Sequence, residues 1–196
     1  DGKAEFNIAN VLAACLAAYT NGIKPSVIRK ALHSFIPGGQ ATPGRANLFH
    51  FPGFKVMLDY AHNPHGVRAL GKLIKSIEAS AKVGVIAGVG DRRDEDIREL
   101  GIEAARIFDH IIIRHDKDLR GRKKEEFDSL LTEGIRSVNA SLPVTYLSDE
   151  KEAVNYVLIN AHTNSLITFL CEDVTCVYEE VKNYYHNTTN AIRRAS

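Results

Sequence analysis

The chain has 196 residues, 44% of them hydrophobic, so it is long enough to bury a substantial apolar core. Its 25 Lys and Arg residues nearly balance its 24 Asp and Glu residues, which argues against a nucleic-acid partner held by bulk charge. No apolar run approaches the length of a membrane span, and the three cysteines favour reduced thiols, so we expect a cytoplasmic protein. The sequence opens on Asp1 and its single methionine is Met57, so we expect a piece cut from a longer polypeptide.

Two segments near the start, Phe6–Tyr19 and Pro25–Phe35, have apolar residues at helical spacing. Both are amphipathic, so we expect their apolar faces to pack inward. The stretch 36–44 is rich in Pro and Gly, which break helices and strands, and it marks a domain boundary. Residues 1–40 are then expected to be the last helices of a domain whose main body is missing.

After this boundary the pattern changes to strands. Two strand-like runs, 45–51 and 54–59, flank Pro52-Gly53, which suits a type II turn and predicts a β-hairpin. Helices are then predicted over 67–79, 97–108, 123–139, 150–161 and 174–185, alternating with strands over 83–89, 110–114, 144–147 and 166–171. This alternation predicts an α/β fold with a mostly parallel sheet covered by helices on both faces. We expect this domain to span residues 41–186 and the polar tail, 187–196, to be disordered.

The end of the second predicted strand carries the strongest chemical signal. Apolar residues from Val56 run into Asp59, and a loop with His62 and Asn63 precedes Pro64, which suits the first turn of a helix. Because open α/β sheets bind ligands at the carboxyl ends of their strands, these side chains are placed to bind a small polar substrate. The alternative is a helix-capping loop, in which the acid and the amide only satisfy backbone donors.

The loop 88–94 after the next strand combines two glycines with Arg92 and Arg93. Its backbone N–H groups can face an anion at the start of a helix. It lacks the third glycine of the dinucleotide fingerprint, and Asp91 repels a pyrophosphate, so a nicotinamide or flavin site is disfavoured. A tight turn explains the glycines but not the two arginines.

The segment 114–122 mixes both signs of charge directly after three isoleucines. A solvated loop is the common explanation of such a run. Its position beyond a buried strand favours a site instead, in which Asp116 and Asp118 bind a guanidinium or ammonium group, and Arg120 or Arg122 binds a carboxylate.

Several common sites are not indicated by the sequence. His62 and His65 have no third histidine or cysteine at ligand spacing nearby, so we predict no metal site. No Gly-x-Ser-x-Gly or Cys-x-x-Cys motif occurs, and neither Gly-Lys pair is followed by Ser or Thr as in a phosphate loop.

Several motifs together resemble the C-terminal domain of the Mur ligase superfamily: Pro43-Gly44-Arg45, Asp59-Tyr60-Ala61-His62-Asn63-Pro64 and Gly90-Asp91-Arg92-Arg93-Asp94-Glu95-Asp96. The third, followed by Asp116-x-Asp118-Leu119-Arg120-Gly121-Arg122, is most similar to the cyanophycin synthetases. The opening 6–14 resembles the helix that closes the central ATPase domain of that family. The resemblance covers residues 6–185 and implies a Rossmann-like fold.

This resemblance implies an ATP-dependent amide ligase, in which ATP phosphorylates a carboxylate and an incoming amine displaces phosphate from the acyl-phosphate. In the cyanophycin synthetases the corresponding half attaches arginine to the side-chain carboxylate of aspartate on a poly-aspartate chain. By resemblance, the residues expected to bind ATP are Arg45 beside the nucleotide, Asp59 at the ribose, Asn63 at the base and His62, the expected catalytic residue, near the phosphates. The residues expected to bind substrate are Arg92, Asp116, Asp118 and Arg120, with the two aspartates recognising arginine.

The phosphate loop, the magnesium ligands and any catalytic lysine of the family belong to the central domain, of which residues 1–40 are expected to be the C-terminal helices. We therefore expect the chain alone to be inactive and to bind ATP weakly or not at all, with Mg2+ held by the missing domain. The implied partners are that domain, ATP, arginine and a poly-aspartate acceptor. We expect a homo-oligomer at full length, with neither nucleic acid nor membrane as a partner.

Two alternatives stay open. Mur and folylpolyglutamate-type ligases share the signature around Asp59, although the acidic pair Asp116 and Asp118 suits a guanidinium substrate better than a glutamate. A non-enzymatic Rossmann-like regulatory module predicts that changing Asp59 or His62 has no effect in any ligase.

Overall fold

The computed structural model describes residues 4–36, 38, 41–87, 92–115, 119 and 121–195, with side chains described as far as Asn190. The helices in this part of the chain are α1 (Glu5–Thr20), α2 (Pro25–Ser34), α3 (Pro64–Lys75), α4 (Asp94–Ala105), α5 (Lys124–Val138), α6 (Glu150–Ile159) and α7 (Val174–Ala195). The strands are β1 (Asn47–Phe51), β2 (Phe54–Asp59), β3 (Ala81–Ile86), β4 (His110–Ile113), β5 (Val144–Tyr146) and β6 (Ser165–Leu170).

These strands form one sheet in the order β1-β2-β6-β3-β4-β5. β1 and β2 pair antiparallel as the predicted hairpin, and Gly53 has φ 99°, as the second central residue of a type II turn requires. The other neighbours in the sheet all pair parallel. The predicted α/β fold is therefore confirmed, and the carboxyl ends of β2, β6, β3 and β4 lie side by side along one edge of the sheet.

The two faces of the sheet bury different residues because side chains alternate along each strand. Helices α3, α4 and α5 cover one face. The strand residues in this half of the core are Met57, Ile86, Ile111, Ile113, Leu166 and Leu170. Helices α6 and α7 cover the other face of the sheet. The strand residues in that half of the core are Val56, Leu58, Val85, Ile112, Ile167 and Phe169. Covering on both faces explains why the strands read as continuous apolar runs.

Helices α4 and α5 approach each other closely at two glycines. A Cβ atom built on Gly134 would collide with the backbone carbonyl of Arg98, and one on Gly101 would collide with that of Leu131. Glycine at these positions lets two helices of the same layer pack backbone against backbone.

The first two helices differ from the prediction. None of the residues of α1 or α2 is buried, and Leu12 and Leu16 are 65% and 63% exposed. Their attachment to the sheet includes Phe6, which packs against the core, and an exposed ion pair between Glu5 and Lys72. The prediction that their apolar faces pack inward is therefore wrong for this chain, because the apolar side chains of α1 and α2 after Phe6 are not among those that pack against the core.

The tail also differs from the prediction. Helix α7 continues to Ala195, where disorder was expected from Asn187 onward. The tail contains neither Gly nor Pro, and the hydroxyls of Thr188 and Thr189 donate to the carbonyls of Tyr184 and Tyr185 one turn earlier. The polar composition of these residues is therefore compatible with a helix.

The three cysteines lie in different environments. Cys171 is buried, Cys15 is half-buried and Cys176 is exposed, and none of the three forms a disulfide in the described part of the chain. Burial raises the pKa of the Cys171 thiol, so this side chain stays protonated and unreactive. None of the helices in the described part of the chain combines the length and the apolarity needed to cross a lipid bilayer.

Candidate functional site

The loop before β1 folds around the carboxylate of Asp59. Gly44 and Ala46 both have left-handed backbone, with φ 67° and 51°, so β1 begins at Asn47 rather than at Arg45 as predicted. In this conformation the N–H of Ala46 donates to Asp59 Oδ2 at 2.8 Å, while the N–H of Ala61 donates to Oδ1 at 2.8 Å. The left-handed conformation is unfavourable for alanine, and it is held by this contact with the carboxylate.

Asp59 itself is only 6% exposed. Burial raises the pKa of its carboxyl, an effect opposed by the N–H groups of Ala46 and Ala61 and by the charge of Arg45. The capping alternative is thus correct in part, since the carboxylate does satisfy backbone donors. A carboxylate offers about four acceptor positions, so Asp59 keeps capacity for hydroxyl donors.

Arg45 and Tyr60 form the exposed surface next to this carboxylate. The guanidinium carbon of Arg45 lies 5.7 Å from the centre of the Tyr60 ring, and both side chains are exposed. Such a stacked cation and ring present a flat, positively charged surface. Arg45 also lines a groove of about 900 Å3 between β1, the start of α1 and the end of α3.

His62 is oriented by its own loop. Its Nδ1 lies 2.9 Å from the carbonyl oxygen of Tyr60, and its ring packs edge-on against the Tyr60 ring at 5.0 Å between centroids. A proton on Nδ1 donates to this carbonyl and leaves Nε2 as the basic nitrogen. The half-buried ring is therefore set up to accept or donate a proton through Nε2.

Asn63 caps α3. Its Oδ1 accepts a hydrogen bond from the N–H of Gly66 at 2.8 Å, and Pro64 occupies the first turn, as predicted. This capping role accounts for an amide at this position without a ligand. Its Nδ2 group is not used by the cap, so the expected contact with a base stays a prediction.

A groove of about 740 Å3 opens between the first turns of α3 and α4. Of the predicted site residues, His62, Asn63 and Arg92 line it, although they come from two separate motifs. Arg93, which the sequence indicates together with Arg92, also lines the groove, as do His65 and Arg68, which were not predicted to bind a ligand there. Arg68 and Arg93 are paired with Glu99 and Asp96 at 2.7 and 2.9 Å, so they contribute less free positive charge than the sequence suggests.

The predicted residues thus separate into two neighbouring groups. His62, Asn63 and Arg92 face the groove between α3 and α4, whereas Asp59 is buried under the loop before β1 and Arg45 faces the other groove. The loop from Asp59 to Asn63 is the bridge between the two groups.

A buried arginine holds the middle of the carboxyl edge together. Arg114, 1% exposed, directly follows β4 and donates to the carbonyl of Leu170 at 2.9 Å. It also pairs with Glu150 at 2.8 Å, and Glu150 accepts the N–H groups of Glu172 and Asp173 at 2.8 and 3.0 Å. This network ties β4 to the end of β6 and to the starts of α6 and α7. The only sequence signal for it is an arginine that directly follows three isoleucines.

The charged loop after β4 is described only in part. Asp116, Asp118 and Arg120 lie outside the described residues. Arg122 pairs with Asp94 at 2.9 Å and with Glu126 at 2.6 Å. It was one of the two candidates for binding a substrate carboxylate, and its guanidinium is engaged inside the protein instead.

Among the described residues, no group of three or more His, Cys, Asp or Glu side chains is arranged to hold a metal ion. The two histidines of the 62–65 segment therefore have no third partner of this kind in that part of the chain.

The chain matches the family model described as Mur ligase, glutamate ligase domain, over residues 44–171. It is 43% identical to a cyanophycin synthetase of Geminocystis herdmanii, over 93% of this chain and 21% of that protein. A cyanophycin synthetase of Synechocystis is 41% identical, over 92% of this chain and 21% of that protein. A UDP-N-acetylmuramoyl-L-alanyl-D-glutamate–2,6-diaminopimelate ligase of Caldanaerobacter subterraneus is 32% identical, over 83% of this chain and 32% of that protein.

Solved structures share the fold. E. coli FolC in complex with ADP superposes with a TM-score of 0.64 at 19% identity, over 95% of this chain and 40% of that chain. A murein peptide ligase of Psychrobacter arcticus superposes with a TM-score of 0.64 at 19% identity, over 92% of this chain and 37% of that chain.

Proposed function

Since this chain belongs to the Mur ligase family, we propose that it is the C-terminal domain of an ATP-dependent amide ligase of the cyanophycin synthetase type. In this proposal the enzyme attaches arginine to the side-chain carboxylate of aspartate on a poly-aspartate chain, through an acyl-phosphate. The observation that carries the proposal is that His62 and Arg92, from two separate motifs, line one groove at the carboxyl edge of the sheet. The chain spans 21% of the length of the first cyanophycin synthetase it matches, so the activity is proposed for a longer protein.

The nucleotide side of the proposed site consists of Asp59, Arg45 and Asn63. Asp59 has acceptor positions left for the two hydroxyls of a ribose, and Arg45 over the Tyr60 ring supplies positive charge beside it. Asn63 keeps its amide N–H groups for a base while its oxygen caps α3. When bound, ATP supplies the phosphoryl group that activates the acceptor carboxylate.

His62 is the proposed catalytic residue. The carbonyl of Tyr60 holds the proton of the imidazole on Nδ1, which leaves Nε2 toward a ligand. A fixed imidazole beside the reacting groups can donate a hydrogen bond when protonated and stabilise negative charge that develops on phosphoryl oxygens. Because its orientation comes from the neighbouring backbone, the ring is positioned before any substrate binds.

The amino-acid side of the proposed site consists of Arg92, Asp116, Asp118 and Arg120. Arg92 is exposed on the wall of the groove, where it can bind a carboxylate. Asp116 and Asp118 follow β4 in sequence, and we assign them to the guanidinium of arginine because two carboxylates match that group in charge and geometry. Arg120 completes this set as a second cation for the carboxylate of the amino acid.

The wider organisation is part of the same proposal. Residues 1–40 are assigned to the C-terminal helices of a central ATPase domain, which carries the magnesium ligands. In this arrangement the chain alone is inactive, and the exposed apolar faces of α1 and α2 are covered by that domain. We place the longer protein in the cytoplasm as a homo-oligomer.

The test is an assay of the longer protein with ATP, a poly-aspartate primer and one amino acid at a time. We expect phosphate release that requires both the primer and arginine, with lysine, glutamate and diaminopimelate as the comparison panel. Release of phosphate with no dependence on any amino acid would contradict the proposal.

A second candidate is a Mur-type ligase that uses diaminopimelate. The 32% identity to the Caldanaerobacter ligase over 83% of this chain favours it. The same panel separates the two candidates, because that enzyme would turn over with diaminopimelate and its muropeptide acceptor rather than with arginine and poly-aspartate.

A further inference from the structure

We propose that Asn47 is a positioning residue for the nucleotide side of the site, because its side chain fixes the loop that places Arg45 beside Asp59. This inference rests on the proposed function, in which Arg45 and Asp59 bind ATP. Asn47 needs no contact with the nucleotide, since it acts on the backbone of residues 42–46. We call this segment the arginine loop.

Asn47 is the first residue of β1, and it is only 7% exposed. Both ends of its amide are used by the arginine loop. Oδ1 accepts the N–H of Gly44 at 2.7 Å, and Nδ2 donates to the carbonyl of Thr42 at 3.0 Å. Because a buried amide that turns away leaves a donor and an acceptor without partners, the side chain fixes two backbone positions of the loop.

Gly44 connects this amide to the end of β2. Its N–H is held by Asn47, and its carbonyl accepts the N–H of Tyr60 at 2.9 Å. A Cβ atom built on Gly44 would lie 2.7 Å from a side-chain carbon of Val174, and its φ of 67° also favours glycine. The residue directly before Arg45 is therefore fixed through both of its peptide groups.

The residue directly after Arg45 is fixed as well, because the N–H of Ala46 donates to Asp59 Oδ2 at 2.8 Å. From this backbone the Arg45 guanidinium carbon lies 5.7 Å from the centre of the Tyr60 ring. Its charge also opposes the rise in the pKa of Asp59. Groups that bind one ligand together work best when supporting hydrogen bonds hold them within about 0.5 Å, and Asn47 supplies that support here.

A purely structural role at the start of β1 is the alternative, and it predicts lost stability with no preference among substrates. The positioning role predicts a selective effect in the longer protein. Asn47→Ala is expected to raise the KM for ATP by about fivefold or more, while the KM for the amino acid stays within about twofold. The matched control is Asn139→Ala, which removes an exposed amide whose Oδ1 accepts the N–H of Ser141 at 3.0 Å. It is expected to leave both KM values unchanged.

A double-mutant cycle tests whether the effect of Asn47 passes through Arg45. In the Arg45→Ala background, Asn47→Ala is expected to raise the KM for ATP by no more than about twofold further, since residues that act through one another are not additive. A merely structural residue would raise the KM for ATP by the same factor in both backgrounds. That result would overturn the positioning role.

Amide hydrogen exchange in the chain itself reports on the arginine loop without any turnover. The N–H of Ala46 bonds to Asp59 and not to Asn47, so its protection measures whether Asn47 holds the loop as a whole. We expect about tenfold faster exchange of this N–H in Asn47→Ala than in the wild type. Asn47→Ser, which is expected to show a smaller increase, serves if the alanine variant fails to fold. Unchanged exchange in the folded variants would overturn the inference.

The kinetic outcomes separate this inference from the proposed function. A raised KM for ATP in Arg45→Ala and Asp59→Ala, together with an unchanged KM for ATP in Asn47→Ala, would overturn the positioning role alone. An equal rise in both KM values of Asn47→Ala would do the same. An unchanged KM for ATP in Arg45→Ala and Asp59→Ala, in an enzyme that turns over, would overturn the nucleotide side of the proposed function and this inference with it.

Discussion

The first two helices and the sheet with its covering helices use apolar residues in opposite ways. Helices α1 and α2 have no buried residue, and Leu12 and Leu16 of α1 are among the more exposed large apolar side chains. Helix α5 alternates apolar and polar residues as α2 does, and it buries Phe127 and Leu131 completely in the core. An amphipathic pattern thus predicts that a helical face needs a cover, but it does not say which surface supplies that cover.

We expect the largest loss of unfolding free energy from a change in the buried network around Arg114. Arg114→Leu removes the guanidinium that pairs with Glu150 and leaves that carboxylate without its buried partner. Losing one member of a buried ion pair costs about 3–5 kcal/mol of unfolding free energy. Urea unfolding of the chain measures this cost, with the exposed Arg136→Leu as the control. If Arg114→Leu loses no more unfolding free energy than Arg136→Leu, the network does not stabilise the carboxyl edge of the sheet.

The next effect concerns the apolar core. Leu131→Ala removes a fully buried side chain between α5 and the sheet, and large-to-small changes at such sites cost about 2–5 kcal/mol. Urea unfolding at neutral pH measures the cost. A change below about 1 kcal/mol would mean that this layer is packed more loosely than its burial indicates.

The pH dependence of stability separates two aspartates with opposite environments. Burial raises the pKa of Asp59 above its ordinary value of 3.8, so its contribution to stability is full below 3.8 and is lost as pH rises through the raised pKa. The N–H of Glu152 lowers the pKa of Asp149, so its contribution is present above 3.8 and is lost as pH falls through the lowered pKa. Unfolding free energies from about pH 3 to pH 7 are compared for the wild type, Asp59→Asn and Asp149→Asn.

With rising pH, the wild type is expected to lose stability relative to Asp59→Asn and to gain it relative to Asp149→Asn. Asp149 is a suitable control because its side chain also accepts a backbone N–H, as the cap of α6, while its pKa is shifted in the opposite direction. Parallel pH profiles of the two differences would contradict the assignment of Asp59 as a buried carboxyl that resists ionisation.

The smallest expected effect is at the first two helices. Leu12→Ala is the matched partner of Leu131→Ala, and in this chain it is expected to change stability by no more than about 0.5 kcal/mol, because Leu12 is already 65% exposed. In the longer protein the same substitution is expected to cost more, since the preceding domain is proposed to cover this face. Equal costs in the two proteins would contradict that domain assignment.

Most of the helices, strands and turns can be predicted from the sequence, because apolar periodicity and turn residues are local signals. The alternation of elements, the Pro52-Gly53 turn and the cluster after β2 all follow from it. The Asp59 environment does not, since it depends on the left-handed backbone of Ala46, which only the folded hairpin imposes. The Arg114 network and the Arg122–Asp94 pair join residues far apart in sequence, so no local pattern indicates that these charges are engaged internally.

The most direct test of the nucleotide assignment is the KM for ATP of the Asp59→Ala variant in the longer protein. We expect a raised KM for ATP with little change in the KM for the amino acid, because the proposal assigns Asp59 to the nucleotide and other residues to the amino acid. Asp149→Ala, which removes an aspartate that also accepts a backbone N–H, is the control and is expected to leave the KM for ATP unchanged. An unchanged KM for ATP in Asp59→Ala, in an enzyme that folds and turns over, would contradict the assignment of this edge of the sheet as the ligase site.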